Sequence, residues 1–420
     1  MKINRATTLA FWLAVWLAAA CGSKQQAPVN TLRVGVSVAS VNPPIGAYIA
    51  GDKQNRKFTG VHDSLYTRAI VVHNDTASVA IVTIDCIGLL YTDVLRIRQQ
   101  VAAITNFPAE RLVVSSTHTH SGPDVVGIWG SDYQHTGVDS AYMKFLVETA
   151  ARQVKLAHEQ AQPAVALAAE TVFGEGWVEN ICNEEIDRAV SILHFRSEAG
   201  QPLATLTNFA CHPTYLDASY SEVSADYVGG YYREMEKLGL GTSLFLQGAI
   251  GGWVQPVDGE GTFEKADQRG RGLAAAVAEA LAKADTLEQT AIRFASARLL
   301  LPVENEGWKQ LSAIGTIPRA IGDSVQTEVS WFSIGPAQFA THPGETAPYF
   351  GLETKRMMTT GPRFVLGLGN DALGYILKPT FFEHDSIPHA AYLTSMSVGK
   401  PTGPLMMDKL REMIEPQQQR

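Results

Sequence analysis

His118 and His120 stand two residues apart in STHTHSGPD, directly after the apolar run RLVVSST. In extended backbone, side chains at i and i+2 point to one side, so both imidazoles can reach one metal ion. One histidine capping a loop while the other packs in the core accounts for the pair alone more readily than a metal does. The company it keeps favours a metal. Cys211-His212-Pro213 follows LATLTNFA, His342-Pro343-Gly344-Glu345 follows AQFAT, and Asn370-Asp371, with Tyr375 shortly after, follow RFVLGLG. Four distant segments thus deliver potential ligands just past runs of strand length. Imidazole with carboxylate suits zinc. Zinc lowers the pKa of a bound water from about 15.7 to about 7 and polarises an amide carbonyl, so the chemistry on offer is hydrolysis.

Short β-rich runs would carry these residues: LRVGVSVA, RAIVVHN, ASVAIVTID, RLVVSST, AVALAAETVF, AVSILHF, LATLTNFA, SLFLQGA, RFASARLLL, AQFATH and RFVLGLG. Between them lie helical patterns such as DVLRIRQQVAAI, SAYMKFLVETAARQVKLAHEQ, ADYVGGYYREMEKLG, ADQRGRGLAAAVAEALAKAD and GETAPYFGLETKRM. The expected fold class is α/β: a layered mixed β-sheet domain with helices packed on the sheets and the site at strand ends, where loops converge on a crevice. No Pro/Gly/Ser-rich divider or fixed-period repeat interrupts the body, so residues 32–420 read as one domain.

Other chemistries lack their signatures. Gly270-Arg271-Gly272-Leu273-Ala274-Ala275 fits a dinucleotide fingerprint, but EKADQR stands where the preceding strand belongs. Neither a G-x-S-x-G elbow nor a P-loop occurs. Asp124 and Asp132 suggest a carboxylate dyad, but solvated loop positions explain them more cheaply. His62 reads as a pocket rim or a surface turn; His73, His135, His158, His194, His384 and His389 lack ligand spacing and read as structural. Trp129, Trp177 and Trp253 are candidate stacking surfaces whose default role is packing. With 34 Lys plus Arg against 42 Asp plus Glu, a net charge of -8 gives no reason to hold a phosphate backbone, and nucleic acid is excluded as a partner. The composition, 45% hydrophobic and 18% charged, excludes a disordered or multi-span membrane protein.

Residues 1–20 read as a signal peptide: Lys2 and Arg5 precede an apolar run from Leu9 to Ala20, too short for a comfortable transmembrane helix. LAAAC resembles the lipobox of bacterial lipoproteins, which makes Cys21 the lipidation site and residues 21–31 a flexible tether. The expected location is the bacterial cell envelope, outer membrane or periplasm-facing, with the membrane a partner through the lipid anchor. Of the remaining cysteines, Cys182 and Cys211 are a candidate disulfide in an oxidising compartment, and free buried thiols are the alternative.

Read together, STHTHSGPD, NFACHPTYL, HPGETAPYFGLETKR and LGLGNDALGYI resemble the catalytic domain of the neutral/alkaline non-lysosomal ceramidases, and VHDSLYTRAIVV and VAIVTIDCIGLL fit its opening strands. The resemblance runs from about Leu32 to the Tyr392 region. It implies zinc-dependent cleavage of an N-acyl amide, as in ceramide giving sphingosine and a fatty acid. His118, His212, Glu345 and Tyr375 match the family's zinc ligands; His120 matches the histidine beside the metal and would take or relay the proton. His118 and His120 are therefore the expected catalytic pair. Tyr375 is the unusual ligand, because a phenol of pKa near 10 binds strongly only where the metal's charge favours phenolate. Asp85 would orient a ligand imidazole from behind or simply end its strand.

The sequence departs from the family at two places. The G-D-V/L-S-P-N segment, whose serine is assigned a nucleophilic or substrate-holding role, corresponds to Gln247-Gly248-Ala249-Ile250-Gly251-Gly252-Trp253, and the N-R-S segment to Asn180-Ile181-Cys182. A hydroxyl and a cation are both missing. The immunoglobulin-like C-terminal domain of typical members is not expected here. Three readings follow: a zinc hydrolase of a ceramide-like or other lipid amide using metal-activated water, a hydrolase of a soluble amide or ester, or a ceramidase-like binding lipoprotein without turnover.

Overall fold

The segment SVAIVTI is buried along its whole length. Val79 and Ile81 belong to one apolar cluster and Ala80, Val82 and Ile84 to another. Side chains alternate across a strand, so a strand apolar on both faces lies between two layers. In the computed structural model, which describes residues 32–257, 259, 261–384 and 386–418, this alternation recurs strand after strand. The proposed signal peptide, the tether and Cys21 lie outside the described residues.

The main sheet has nine strands. In chain order eight of them are β1 (Leu32–Ser40), β2 (Tyr66–His73), β3 (Ser78–Ile84), β4 (Leu112–Ser116), β5 (Gln162–Val172), β6 (Ala189–Ser197), β7 (Pro202–Phe209) and β8 (Thr242–Gln247). Their spatial order is β8-β7-β6-β5-β1-β2-β3-β4, and the short strand Asp285–Thr286 adds to β5. Only β7–β8 and β3–β4 pair in parallel along this path. A second sheet of four strands runs β9 (Ile292–Pro302), β10 (Ser324–Ile334), β11 (Ala337–Thr341) and β12 (Arg363–Leu366), with β11 and β12 parallel.

The two sheets pack face to face. Phe332, Phe339 and Phe364 stack at ring separations of 4.5 and 4.2 Å, in one cluster with Val79, Ile81, Leu206 and Leu244 of the main sheet. Helices cover the outer faces. The pair α1 (Tyr91–Ile104) and α2 (Ser140–Glu159), and the pair α3 (Tyr227–Lys237) and α4 (Phe263–Leu281), lie against the main sheet, and the helix Thr402–Gln418 lies against β9 and β10. Side-chain caps set several starts: Asp139 accepts the N–H groups of Ala141 and Tyr142 before α2, and Thr262 accepts that of Lys265 before α4. The layered mixed α/β expectation is met. Among the described residues no helix is long and apolar enough to cross a membrane.

Strand β10 and the helices Glu306–Ala313 and Thr402–Gln418 escape a search for apolar runs. In β10 the reason is that Thr327, Glu328 and Ser330 interrupt the pattern, yet all three are buried and bonded. Glu328 pairs with Arg98 of α1 at 2.7 Å, Thr327 donates to Asp371, and Ser330 accepts from Asn370. Asn370 and Asp371, potential ligands by their place after β12, are thus structural. Cys182 and Cys211 form no bridge: both are unbridged thiols, as is Cys86, and the Cys182 thiol donates to Pro388 O.

Candidate active site

Each of the three parallel pairs sends two neighbouring C-terminal ends the same way, and those ends carry the predicted residues. His118 follows β4, His212 follows β7 and Glu345 follows β11. Glu345 then pairs in parallel with Tyr375 in a two-stranded ladder beyond β12. Gln247, at the end of β8, ties the loops together: its amide donates to Thr117 O and Cys211 O, and its oxygen accepts the N–H groups of Cys211 and Gly248.

The side chains converge. His212 Nε2 lies 3.1 Å and His118 Nε2 3.4 Å from Glu345 Oε2, and His120 Nε2 lies 3.3 Å from His118 Nε2. Ligand nitrogens of all three histidines lie within 4.8 Å of one another. Zinc–ligand bonds near 2.0–2.1 Å in a tetrahedron imply ligand separations of about 3.3 Å, so the donor set fits that ion. Backbone carbonyls fix the tautomers: Nδ1 of His118 faces Ile87 O at 2.5 Å and Nδ1 of His212 faces Val254 O at 2.9 Å. Each ring therefore donates from Nδ1 and turns an Nε2 lone pair inward. His118 has φ of 70°, a left-handed conformation that costs a non-glycine residue about 1–3 kcal/mol and aims its ring at the cluster.

Electrostatics agree with a cation site. Burial lowers the His212 pKa, against the pull of the Glu345 carboxylate, which raises it. Burial alone would raise the Glu345 carboxyl, but the His118 and His212 imidazoles outweigh it and hold the group below the usual carboxylate range. Tyr375 is buried and accepts the Trp253 indole N–H at 2.6 Å. Burial and then Glu345 raise its pKa, so in this protein environment it is a neutral phenol.

His120 reaches outward to a residue the sequence did not single out. Its Nδ1 lies 3.2 Å from Asp217 Oδ1, and the backbone of Gly51, at φ +96°, approaches so closely that a Cβ there would lie 2.7 Å from the same nitrogen. Burial would raise the Asp217 carboxyl, yet the His120 hydrogen bond and charge lower it overall. Asp217 follows His212 by five residues and opens the short 3-10 turn Asp217–Ser219, where neither periodicity nor spacing marks it.

A cavity of about 150 Å³ opens onto this cluster. Trp129, Tyr133, Trp308 and Tyr392 bring aromatic rings to its wall and Val126, Ile128 and Met396 apolar surface; among the described lining residues there is no Ser, Thr, Cys, Lys or Arg. A larger groove of about 780 Å³, beside Arg68 and Arg233, holds no histidine, so the chemistry belongs to the smaller one.

Residues 33–262, more than half of the chain, match the family described as neutral/alkaline non-lysosomal ceramidase, N-terminal. The chain belongs to that family. Two solved structures are similar in fold: the neutral ceramidase from Pseudomonas aeruginosa, with a TM-score of 0.73 at 16% identity over 93% of this chain and 75% of the other, and a ceramidase complexed with C2, with a TM-score of 0.71 at 15% identity over 93% and 76%. This ceramidase-family chain is accordingly placed among hydrolases of amide bonds.

In the stretch 247–253 the Gly251 N–H donates to Thr346 O, and a Cβ at Gly251 would lie 2.3 Å from Glu345 O, so backbone fills the space a side chain would need there. Trp253 of the same stretch holds Tyr375, and Cys182 packs in the small apolar cluster with Tyr375.

Several sequence expectations need correction. Asp85 does not reach a ligand imidazole: its carboxylate accepts the Tyr66 N–H at 2.8 Å and the Tyr232 hydroxyl at 3.3 Å, while backbone carbonyls orient the rings. It caps the β2–β3 end. His62 stacks on Phe263 at 3.7 Å, away from the cavity. His342 turns its Nε2 to Thr354 Oγ1 at 3.0 Å, and burial lowers its pKa to about 3. Asp124 accepts three backbone N–H groups, from Val126, Gly127 and Trp129, and orders the loop that brings Trp129 to the wall. Trp177 packs in the core, the default reading of that residue.

The loop holding Asp217 hangs on Asp226, whose carboxylate accepts the N–H groups of Leu216 and Tyr227. Burial raises the Asp226 pKa from 3.8 to about 7. A folded-state pKa above the unfolded one gives a contribution fully present below the unfolded value and lost as pH rises through the folded one. Stability should therefore fall between about pH 4 and pH 7, by at most about 1.4 kcal/mol per pH unit for one proton. Urea midpoints of wild type and Asp226→Asn across this range check it: the variant should have the shallower slope, and equal slopes would refute the assignment.

Proposed function

We propose that this chain is a zinc-dependent hydrolase of a linear N-acyl amide, lipid amides included, in which water rather than a side chain attacks the carbonyl. The observation that carries this reading is the junction of a compact His118, His212 and Glu345 donor set with a cavity wall whose described lining residues include no seryl, threonyl, cysteinyl or lysyl group. When bound, zinc would polarise the carbonyl and make a water acidic enough to attack near neutral pH. The chain's own residues do the remainder. Glu345 brings negative charge to a buried site, and the tautomers of His118 and His212 leave their Nε2 atoms free to ligate. Asp217 holds the Nδ1–H of His120, which turns a basic Nε2 toward the reacting centre. That nitrogen takes a proton as the water oxygen adds to the carbonyl carbon, then delivers it to the amine nitrogen as the C–N bond breaks, giving a carboxylic acid and an amine.

Family membership supports the amide bond, and the ceramidase complexed with C2 supports a lipid amide as a first substrate to try. The test is turnover of N-acyl amines by zinc-replete protein. Chelation should abolish turnover and zinc restore it, and mass spectrometry during turnover should find no acylated protein. Inertness across long- and short-chain amides and esters would refute the hydrolase, and an acyl adduct would refute attack by water. Asp217→Ala should lower kcat about 10–100-fold with little change in KM, the scale on which partners of site histidines act. Asp217→Asn, which keeps an acceptor for Nδ1–H, should recover part of the loss; equal kcat in all three proteins would remove Asp217 from the mechanism.

A further inference from the structure

The wall of the cavity carries a signal beyond hydrolysis, one that bears on the substrate's other end. Trp129, Tyr133, Trp308 and Tyr392 line it, and the carboxylate of Asp52 stands at the same wall, exposed and without an ion pair among the described residues. No Lys or Arg lines the cavity among the described residues. Lys53, next to Asp52 in sequence, is exposed and outside the lining, and Arg56, although its charge interacts with that of Asp52, is held by other groups. Arg56 donates to the carbonyls of Asp217 and Tyr220 at 2.6 and 2.9 Å, and Lys57 lies over the Tyr48 ring at 4.6 Å. A wall of aromatic residues with one carboxylate and no cation among its described lining residues suits an alkylammonium group, because ring quadrupoles and the negative charge act in the same direction. The Tyr392 phenol feels this field: burial first, then Glu345, Tyr133, Asp52 and Asp217, push it up to about 12.

Resting on the hydrolase reading above, we infer that the amide cleaved here carries an alkylammonium group that sits against Asp52 and the surrounding aromatic rings. A carboxylate or phosphate at that place would meet Asp52 with no cation among the described lining residues to offset it. The cation site is thus a specificity element separate from the metal-facing cluster.

Two amides that share a short acyl group and differ only at the end of the amine part, trimethylammonium in one and isosteric tert-butyl in the other, isolate the charge. With zinc-loaded protein, kcat/KM should be at least about tenfold higher for the ammonium compound, and this ratio should shrink toward one in Asp52→Asn and in Tyr392→Leu. An equal or better tert-butyl substrate would overturn the inference. Tetramethylammonium binding, followed by quenching of tryptophan fluorescence in the same protein, reads the site without turnover. If neither amide is cleaved but tetramethylammonium binds, and binds less well to Asp52→Asn, the hydrolase reading fails and the cation site stands. If it does not bind, the cation site falls as well.

Discussion

Replacing His118 by alanine is expected to abolish turnover, by on the order of 10³-fold or more, and to strip the protein of stoichiometric zinc. The imidazole is 3% exposed and its Nε2 lies 3.4 Å from Glu345 Oε2, so its loss removes a ligand and leaves a buried carboxylate facing one histidine fewer. Under the proposed function the metal would supply the charge stabilisation and the activated water, which is why loss of a single ligand would carry so large an effect. Folding should survive, since the cost is chiefly one unmet carbonyl, Ile87 O, at about 1–3 kcal/mol. Zinc analysis and amide turnover, with circular dichroism as the control for folding, decide the matter. Under a binding role without catalysis the same variant would change only ligand affinity or stability, so retention of full turnover, or its absence in the wild type, would tell against the enzyme.

Asp371→Ala should be among the most damaging changes far from the chemistry, costing about 3–5 kcal/mol. Asp371 is wholly buried; it accepts from the Arg319 guanidinium at 2.7 Å, the Thr327 hydroxyl at 2.7 Å and the Tyr91 N–H at 2.9 Å. Alanine would strand Arg319, itself buried, along with the other two donors. The segment leading to Tyr375 starts here, so the loss would also loosen the Glu345–Tyr375 ladder. Denaturant titration measures the change. Replacing Asp371 and Arg319 together by apolar residues should return much of the stability, because the penalty is that of an unpaired buried charge rather than the intrinsic worth of the pair. A loss under about 1 kcal/mol for Asp371→Ala would mean that the network contributes little.

These two sites also mark the limit of what the sequence discloses. His118, His212, Glu345 and Tyr375 were legible because each follows an apolar strand, and strand ends in parallel pairs must converge. Asp371 sits in the same kind of position and was read as a potential ligand, yet it serves β10, a strand hidden from an apolar-run search by buried polar residues that bond to Asp371, Asn370 and Arg98. Strand-end position identifies where a residue goes and says nothing of which partner takes it. Asp217 is illegible for the opposite reason: it opens a three-residue 3-10 turn between longer elements, where only the folded path of the chain brings it to His120. Asp85 shows the same ambiguity resolved the other way, since its strand-end carboxylate is consumed by Tyr66 and Tyr232. The aromatic wall was half visible: Trp129 was among the candidate stacking surfaces, but Tyr133, Trp308 and Tyr392 come from remote segments with no shared pattern.

Anomalous diffraction at the zinc edge from crystals of the zinc-loaded protein tests the central claim most directly. One strong peak is predicted within about 2.0–2.2 Å of His118 Nε2, His212 Nε2 and Glu345 Oε2 together. A zinc-replete crystal whose ion lies elsewhere, or in which these three side chains do not share it, would contradict the account.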